Sequence, residues 1–391
     1  MNAKQSYLMP TYTRQNVSFV RGEGARLWDE QGREYLDAIA GVAVTNLGHA
    51  NPEITAVISQ QASLLLHTSN MFGIPWQEQL AQKLCSLAGM ERAFFCNSGA
   101  EANEAALKIA RLHARVRNIA NPQIVVMSNS FHGRTLATLA ATDNRNVQQG
   151  FEPLMGGFIR VPYNEIEALR DLVSNKSIVA VLLEPVQGEG GVHCASPTYL
   201  SAVRQLCDKQ DWLLMMDEVQ TGMGRTGQWF GFQHADITPD VITLAKGLGN
   251  GFPIGACLAQ GKAAQLFAAG SHASTFGGNP LGCRIACQVI DIMQRDLIPQ
   301  KAAQLGQQLL ADLCQKLKDH PNVLAIRGIG LMVGIELNYP AIDLVSRALT
   351  EQRLLITITR KQTIRLLPAL ICTAEQVDDI VFRISRLLAT C

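Results

Sequence analysis

The feature that most constrains this chain is a series of apolar runs, each four to six residues long, spaced through its middle. The runs are Ala93–Cys96, Ile124–Met127, Ile178–Leu183, Trp212–Met216 and Val241–Ala245. Because they lack polar alternation, they are typical of strands covered on both faces, as in a parallel sheet flanked by helices. Each run ends at a polar or glycine-containing turn, and open α/β sheets bind ligands in the crevice beyond such strand ends. The sequence therefore predicts an α/β fold with its functional residues on these turns.

The two ends of the chain have a different pattern from the middle. Residues up to about Gly41 predict short strands and turns, and a long helical stretch begins after Pro280. We therefore predict a large domain over 46–280, with a mostly parallel central sheet flanked by helices. A smaller α+β domain is predicted to assemble from both termini, residues 1–45 and 281–391.

Composition argues against several classes of function. The net charge of +1 over 391 residues gives no support for a nucleic-acid or anionic-membrane partner. The cysteines are scattered singly, no C-x-x-C occurs and the histidines are dispersed, so neither disulfides nor a metal site is expected. Met1 to Tyr12 lacks the apolar core of a signal peptide, and no apolar run approaches the roughly 20 residues of a membrane span. We expect a cytoplasmic protein.

The turn Asn97-Ser98-Gly99-Ala100-Glu101 lies between a predicted strand and a predicted helix. Ser98 followed by Glu101 predicts a capping box, and the segment could be no more than that. The alternative is a phosphate site, because free backbone N–H groups at a helix N-terminus attract anions and Gly99 permits close approach.

Two carboxylates, Asp217 and Glu218, follow the buried run Trp212–Met216. An unpaired buried carboxylate is costly, so a cationic partner is expected at this strand end. That partner could be an arginine. It could also be a protonated pyridine nitrogen, the group that makes pyridoxal 5′-phosphate (PLP) an electron sink.

Lys246 directly follows the apolar run Val241–Ala245. Burial disfavours a charged amine, which lowers its pKa and makes it a nucleophile toward aldehydes. The alternative is that the side chain extends to solvent. Glycines at 247, 249 and 251 would leave room for a planar ring.

A glycine pattern, Gly222-Met-Gly224-Arg-Thr-Gly227, matches the G-x-G-x-x-G of dinucleotide-binding folds. That fingerprint requires the third glycine to open an amphipathic helix. Residues 228–232, Gln-Trp-Phe-Gly-Phe, have no helical period. A nicotinamide-dependent oxidoreductase is therefore a remote alternative.

Taken together, a phosphate site, a strand-end aspartate and a strand-end lysine are the three anchors that PLP needs. Phe131 could stack on the pyridine ring, although a core aromatic is the simpler interpretation. Ser274 and Thr275 offer hydroxyls at a turn, where local caps are common.

The motifs resemble those of the class III, or ω-amino acid, aminotransferases of PLP fold type I. The resemblance covers nearly the whole chain and rests on seven segments in order. These are Ser98-Gly-Ala-Glu-Ala-Asn-Glu104, Phe131-His-Gly-Arg-Thr135, Glu184-Pro-Val-Gln-Gly-Glu-Gly190, Asp217-Glu-Val-Gln220, Lys246, Ser274-Thr-Phe-Gly-Gly-Asn-Pro280 and Arg365-Leu-Leu-Pro368.

The resemblance implies PLP as cofactor and a homodimer with shared active sites. The implied cofactor-binding residues are Ser98, Gly99, Ala100, Phe131, Asp217, Glu218, Val219, Gln220, Lys246 and Thr275 of the partner subunit. Gly99 and Ala100 would hold the phosphate through their amides, and Asp217 would pair with the pyridinium nitrogen. Lys246 would hold PLP covalently and then act as general base and acid.

For the reaction, the resemblance implies transfer of the terminal amine of N2-acetyl-L-ornithine to 2-oxoglutarate, a step of arginine biosynthesis. Arg134, with Ser274 of the partner subunit nearby, would bind the carboxylate far from the reacting amine. Arg365 would bind the α-carboxylate of glutamate. Glu184 would neutralise Arg365 while acetylornithine is bound and would swing aside for glutamate. Succinylornithine, ornithine, 4-aminobutyrate and succinyldiaminopimelate remain open as donors.

Overall fold

The computed structural model describes residues 7–389, which leaves out residues 1–6 and 390–391 at the ends of the predicted terminal segments. The expectation that Met1 to Tyr12 is not a signal peptide therefore falls partly outside the described residues. No helix within residues 7–389 combines the length and the apolar character that a membrane crossing needs. The same residues contain no group of His, Cys, Asp and Glu arranged to hold a metal ion.

Strands and helices alternate through the middle of the chain. The strands are β1 (Phe19–Glu23), β2 (Arg26–Asp29), β3 (Glu34–Asp37), β4 (Arg92–Cys96), β5 (Gln123–Met127), β6 (Phe158–Val161), β7 (Ile178–Leu183), β8 (Val186–Gln187), β9 (His193–Cys194), β10 (Leu213–Asp217), β11 (Val241–Leu244), β12 (Gly255–Ala259), β13 (Val323–Ile329), β14 (Met332–Leu337), β15 (Leu354–Leu355), β16 (Thr357–Thr359) and β17 (Thr363–Leu366). The helices are α1 (Ala40–Ala43), α2 (Pro52–Leu64), α3 (Pro75–Ala88), α4 (Gly99–Val116), α5 (Leu136–Ala141), α6 (Arg145–Gln148), α7 (Ile166–Arg170), α8 (Pro197–Gln210), α9 (Gly261–Ala264), α10 (Pro280–Arg295), α11 (Ile298–Leu317), α12 (Leu344–Glu351) and α13 (Ala374–Leu388).

The central sheet has the strand order β4-β12-β11-β10-β7-β5-β6. Strands β6, β5, β7, β10 and β11 pair in parallel, whereas β12 is antiparallel to both of its neighbours. The prediction of an α/β fold with a mostly parallel central sheet is confirmed. The parallel strands end at one edge of the sheet, so the polar turns that follow them meet there.

The apolar runs lack polar alternation because successive side chains enter two separate cores. On β5, Ile124 and Val126 pack with helix α4, whereas Val125 and Met127 pack with the helices on the opposite face. Strand β7 is buried at every position from Ile178 to Leu183. A strand covered on both faces needs apolar residues at every position, which is the pattern that the sequence shows.

The terminal segments form two further sheets. Strand β15, from the C-terminal part of the chain, pairs in parallel with β3 from the N-terminal part, giving the order β1-β2-β3-β15. The second sheet has the order β13-β14-β17-β16 and carries Arg365 on β17. Helices α11 and α12 pack against these sheets, and α13 packs against both helices. The boundaries at 45/46 and 280/281 stay predictions.

Candidate active site

A cavity of about 400 Å³ lies at the carboxyl ends of the central strands. Four polar turns line it, following β4, β7, β10 and β11. A fifth lining segment, residues 131–134, follows β5. The sheet thus brings together most of the residues that the sequence singled out. The lining includes Ser98, Gly99, Ala100, Phe131, Arg134, Glu184, Glu189, Asp217, Val219, Gln220 and Lys246.

Helix α4 begins at the first of these turns. Ser98 caps it, because its side-chain oxygen accepts a hydrogen bond from the Glu101 amide at 3.2 Å. The predicted capping box is altered, since the Glu101 carboxylate accepts from the Asn97 amide at 2.9 Å rather than from the amide of Ser98. A Cβ atom on Gly99 would lie 2.7 Å from Val219, so only glycine allows this approach. The first amides of the helix remain available to an anion at its positive end.

Asp217 ends β10 and is almost fully buried. Its Oδ2 atom accepts from Asn103 and lies 2.8 Å from His132 Nδ1, and its Oδ1 atom accepts from the Val219 amide at 3.1 Å. Asn103 is held in turn by the hydroxyl of Thr243 at 2.8 Å. No arginine pairs with this carboxylate among residues 7–389, so the alternative of an arginine partner is wrong. The carboxylate is fixed and negatively charged at the cavity wall.

Lys246 begins a short 3₁₀ turn directly after β11 and faces the same cavity. Its φ of +44° lies in the left-handed region, where strain in a residue other than glycine often marks a functional site. Burial lowers the pKa of Lys246 to about 8, against opposing effects of Glu189 and Asp217. An amine with this pKa is partly neutral near physiological pH and can act as a nucleophile or a base.

Glu218 was placed beside the cofactor by sequence, and the structure corrects this. Its carboxylate points away from the cavity and accepts from the Thr221 hydroxyl and from the amides of Gly231 and Phe232. Adjacent side chains at a strand end face opposite sides, so Asp217 and Glu218 cannot both face the cavity. Burial raises the pKa of Glu218 to about 7.

The expectation that Glu184 neutralises Arg365 is also wrong. Glu184 Oε1 accepts from the Phe131 amide at 3.0 Å, and Oε2 accepts from the Gly188 amide at 3.2 Å. Both oxygens are thus bound to backbone, which fixes the side chain in its own turn. Burial raises the pKa of Glu184 to about 7, although His132 opposes this effect.

Arg365 pairs with Glu189, a residue that sequence reasoning missed. The Arg365 Nη1 atom lies 2.6 Å from Glu189 Oε1 and donates to Gln220 Oε1 at 3.3 Å. Its Nε atom donates to Thr357 at 3.2 Å. Burial alone would raise the pKa of Glu189, but the Arg365 charge holds it below its ordinary value. The only sequence signal was the glycine-flanked position of Glu189 in the segment after β7.

The two predicted substrate arginines differ in their surroundings. Arg134 is exposed at the cavity mouth, with its guanidinium 5.8 Å from the Phe131 ring centroid. No carboxylate of residues 7–389 lies within ion-pair distance of Arg134, in contrast to buried Arg365. One arginine is therefore free to receive an anion, while the other already has one.

Ser274 and Thr275 do not line this cavity. They line a separate cavity of about 1050 Å³ that also includes Asn70 and Phe94. The Ser274 hydroxyl accepts from the Gly277 amide at 3.0 Å, which is a local turn cap, and from Asn97 at 3.2 Å. Within one chain, the Ser274 hydroxyl thus contacts the turn before α4 but does not face the cavity at the strand ends.

The glycine pattern over 222–227 has no dinucleotide-binding geometry. Turns follow it, and then a 3₁₀ helix over Gly231–Ala235, so the third glycine opens no amphipathic α-helix. The prediction that this segment does not bind a nicotinamide cofactor rests on the same missing helix after Gly227.

The chemistry of the cavity fits PLP in three respects. The start of α4 offers amides and a positive helix end for a phosphate. Asp217 offers a fixed carboxylate for a protonated ring nitrogen. Lys246 offers an amine of lowered pKa for the aldehyde carbon.

Comparisons with known proteins agree with this chemistry. The chain matches the family model of class-III aminotransferases over residues 8–388. It is 52% identical to the acetylornithine aminotransferase of Nitrosomonas europaea, over 98% of both chains. It is 50% identical to acetylornithine aminotransferase 1 of Bordetella pertussis, over 96% of both chains.

Solved structures share the fold over almost the whole chain. The ornithine aminotransferase of Toxoplasma gondii superposes with a TM-score of 0.95 at 33% identity, covering 98% of this chain and 93% of that one. The acetylornithine aminotransferase of Elizabethkingia anophelis superposes with a TM-score of 0.88 at 34% identity, covering 98% of this chain and 97% of that one.

The lowered pKa of Lys246 predicts how its reactivity depends on pH. In apoprotein mixed with PLP, the rate of appearance of the bound yellow form should rise with pH up to about 8 and level off above it. An ordinary lysine, with a pKa of about 10.4, would keep gaining reactivity well beyond that point. Stopped-flow absorbance between pH 6.5 and 10 measures the profile, with Lys246→Ala as the control that lacks this phase. A rate that is still rising steeply at pH 9.5 would contradict the assignment.

Proposed function

Because this chain belongs to the class-III aminotransferases, which depend on PLP, we propose that it transfers the terminal amine of N2-acetyl-L-ornithine to 2-oxoglutarate. The products are N-acetylglutamate 5-semialdehyde and L-glutamate, and the reaction belongs to arginine biosynthesis. The observation that supports the donor best is the contrast between Arg365, which pairs with Glu189, and Arg134, which has no ion-pair partner among residues 7–389. We place the reaction in the cytoplasm, where 2-oxoglutarate is a central metabolite.

In this proposal, different cavity residues bind different parts of the cofactor. Ser98, Gly99 and Ala100 would hold the phosphate at the start of α4, and Asp217 would pair with the ring nitrogen. Phe131 and Val219 would contact the ring, and Gln220 would contact its hydroxyl. When bound, PLP supplies the electron sink that lets a C–H bond of the substrate break. Glu218 has no part in this set, because it faces away from the cavity.

Lys246 has two tasks in the proposal. Its amine would hold the cofactor in the resting enzyme, and the free amine would take up and return the proton at the reacting carbon. A general base works best when its pKa is near the working pH, and burial brings the pKa of Lys246 to about 8. The amine is therefore available in both protonation states during turnover.

The two arginines bind different carboxylates of the two substrates. Acetylornithine has one carboxylate, far from its reacting amine, and Arg134 at the cavity mouth receives it. Glutamate has a second carboxylate beside its reacting amine, and Arg365 can bind that group as a bidentate pair once Glu189 leaves. While acetylornithine is bound, Glu189 keeps the buried guanidinium of Arg365 neutralised.

A second candidate donor is favoured by a vestibule beside the active site. This cavity of about 440 Å³ shares Arg134 and Glu189 with the active site and is also lined by Arg360 and Lys361. Arg360 and Lys361 lie in the turn between β16 and β17 and have left-handed φ angles of +50° and +66°. Neither has an ion-pair partner among residues 7–389. An acyl group that ends in its own carboxylate, as in N2-succinylornithine, would meet unpaired cations there.

We also propose that the active unit is a homodimer in which Ser274 and Thr275 serve the partner subunit. Exposed apolar side chains lie on the chain segment that carries these residues and on the segment around Asn70, which donates to the Ser274 carbonyl at 3.1 Å; large exposed apolar groups often mark interfaces. The group, called here the apolar face, consists of Leu64, Leu65, Leu66, Met71, Phe72 and Phe276. The His67 ring lies 5.2 Å from that of Phe276, which joins its two segments.

The donor assignment predicts a spectral change in the purified PLP-loaded protein. N2-Acetylornithine without keto acid should bleach the yellow colour, and 2-oxoglutarate should restore it. N2-Succinylornithine in the same titration tests the second candidate, with ornithine and 4-aminobutyrate as further comparisons. If ornithine or 4-aminobutyrate bleaches the colour and neither acyl-ornithine does, the donor assignment fails. A protein that never takes up PLP would overturn the function as a whole.

The Arg365–Glu189 pair predicts that Glu189→Gln separates the two half-reactions. The acetylornithine half-reaction should slow by roughly tenfold or more, because Arg365 would be left buried and uncompensated. The glutamate half-reaction should change by less than about threefold, because glutamate brings its own carboxylate. Single-turnover absorbance measures both rates.

Glu184→Gln is the matched control for this pair, since Glu184 does not contact Arg365. It should affect both half-reactions to a similar extent. If Glu184→Gln separates the half-reactions and Glu189→Gln does not, then Glu184, and not Glu189, neutralises Arg365.

The apolar face predicts the oligomeric state. Sedimentation equilibrium should give about twice the chain mass of 42.6 kDa. Phe276→Asp should shift the protein toward monomer and reduce activity, because charge is costly in an apolar interface. Phe382→Asp, at an exposed phenylalanine of α13, should leave the mass and the activity unchanged. A fully active monomer would exclude the shared active site.

A further inference from the structure

The glycine pattern over 222–227 takes no part in the proposed chemistry, yet its glycines are required where they lie. Gly224 and Gly227 have φ angles of +82° and +93°. A Cβ atom on Gly224 would lie 2.8 Å from Met293 of α10, and one on Gly227 would lie 2.8 Å from Ala303 of α11. Because these positions hold glycine, the loop 222–227 can pack closely against α10 and α11.

Arg225, between these glycines, is fully buried. Its Nη1 atom donates to the Leu331 carbonyl at 2.9 Å and to the Pro368 carbonyl at 2.5 Å, and its Nη2 atom donates to Asn46 Oδ1 at 2.6 Å. The Nε atom has no partner among residues 7–389, and no carboxylate there lies within ion-pair distance. Burial lowers the pKa of Arg225 to about 9, so the group stays charged at neutral pH.

A buried charge without a counter-ion is costly, and an apolar residue would avoid that cost. The planar guanidinium, however, donates in fixed directions to two carbonyls and an amide oxygen at once, whereas the donors of a lysine amine rotate and an apolar side chain has none. The guanidinium of Arg225 therefore fixes the positions of its three acceptors relative to one another.

The contacts of Arg225 join the start of β14 to the end of β17. Leu331 comes directly before β14, and Pro368 lies two residues after the end of β17. These strands pair in antiparallel register, with Gly334 opposite Arg365. By holding both carbonyls, Arg225 fixes this end of the strand pair that carries Arg365.

The same stretch of chain also reaches the active site. Gln220, five residues before Arg225, accepts from Arg365 at 3.3 Å, and Asp217 lies at the start of the stretch. The segment over 217–225 is thus attached to the β14–β17 pair at two points. Its cavity end contacts the Arg365 guanidinium, and its far end holds the backbone where β14 begins and where β17 has ended.

We propose that Arg225 is a positioning residue that holds β17 in register with the turn of Asp217, so that Arg365 meets the α-carboxylate of glutamate and 2-oxoglutarate. The proposal rests on the proposed function, in which only these substrates use Arg365. Acetylornithine depends on Arg134, which lies on a different element. Loss of Arg225 should therefore harm one half-reaction more than the other.

The test is the variant Arg225→Lys, which keeps the positive charge but lacks the planar guanidinium. In single-turnover absorbance with PLP-loaded protein, the apparent affinity for glutamate should fall by about tenfold or more, while that for acetylornithine changes by less than about threefold. Arg204→Lys is the matched control, since Arg204 is also largely buried, is held by Asp240 and does not contact the β14–β17 pair. It should produce no difference between the half-reactions.

Gly330→Ala covers the case in which Arg225→Lys does not fold. A Cβ atom on Gly330 would lie 2.6 Å from the Arg225 carbonyl oxygen, so alanine pushes the turn before β14 away while the guanidinium stays intact. It should weaken glutamate binding in the same selective way. Equal losses for both substrates in a folded, PLP-loaded variant, or no loss at all, would overturn the proposal.

The wild-type titration separates this proposal from the proposed function. If wild-type protein reacts with glutamate but not with acetylornithine, the donor assignment fails. The comparison of Arg225→Lys with wild type then uses glutamate and whichever amino donor without an adjacent carboxylate does react. A fall in apparent affinity for glutamate alone supports the role of Arg225. An equal fall for glutamate and for that donor overturns the proposal.

Discussion

The buried carboxylate of Asp217 is the interaction on which the site depends. A charge at the end of a fully covered strand is tolerated only when its oxygens are bound, and Asn103, His132 and the Val219 amide bind them. Because these partners come from α4, from the segment after β5 and from the turn after β10, satisfying one carboxylate fixes three of the cavity walls. Hydrogen-bonded chains of this kind stiffen a site at low dielectric. The rest of the cavity is arranged around this fixed negative charge.

The sequence predicted the central strands well because each run is buried on both faces. The run Ile178–Leu183 has the same limits as β7, and Val241–Ala245 exceeds β11 by one residue. The direction of a strand is not encoded in such a run, however. Strand β12, antiparallel to both neighbours, could not be predicted from local pattern, because its direction depends on the connection that precedes it.

The site was predictable where a residue type was unusual for its local setting. A lysine and an aspartate at buried strand ends are such residues, and both line the cavity. Glu218 was misplaced because two adjacent carboxylates look alike in sequence, although the alternation of side chains at a strand end separates them. Glu189 was missed because its partner, Arg365, lies 176 residues further along the chain. Pairings of this kind follow from the packing of two sheets and have no local signature.

The exposure of the two carboxylates explains why Glu189, rather than Glu184, suits a site that takes two acids in turn. A group that must leave its partner should have water nearby to solvate it, since moving a charge through a dry interior is costly. The Glu189 side chain is 39% exposed, whereas that of Arg365 is 3% exposed. Glu184 is nearly buried and is bound by two backbone amides, which it would have to abandon without replacement. In the proposed function, the carboxylate at the cavity edge is therefore the member of the pair that would move, and the arginine on β17 would stay in place. In the proposed function, the incoming α-carboxylate of glutamate would take over the hydrogen-bonding position that Glu189 leaves, so the buried guanidinium would have an anionic partner with either substrate.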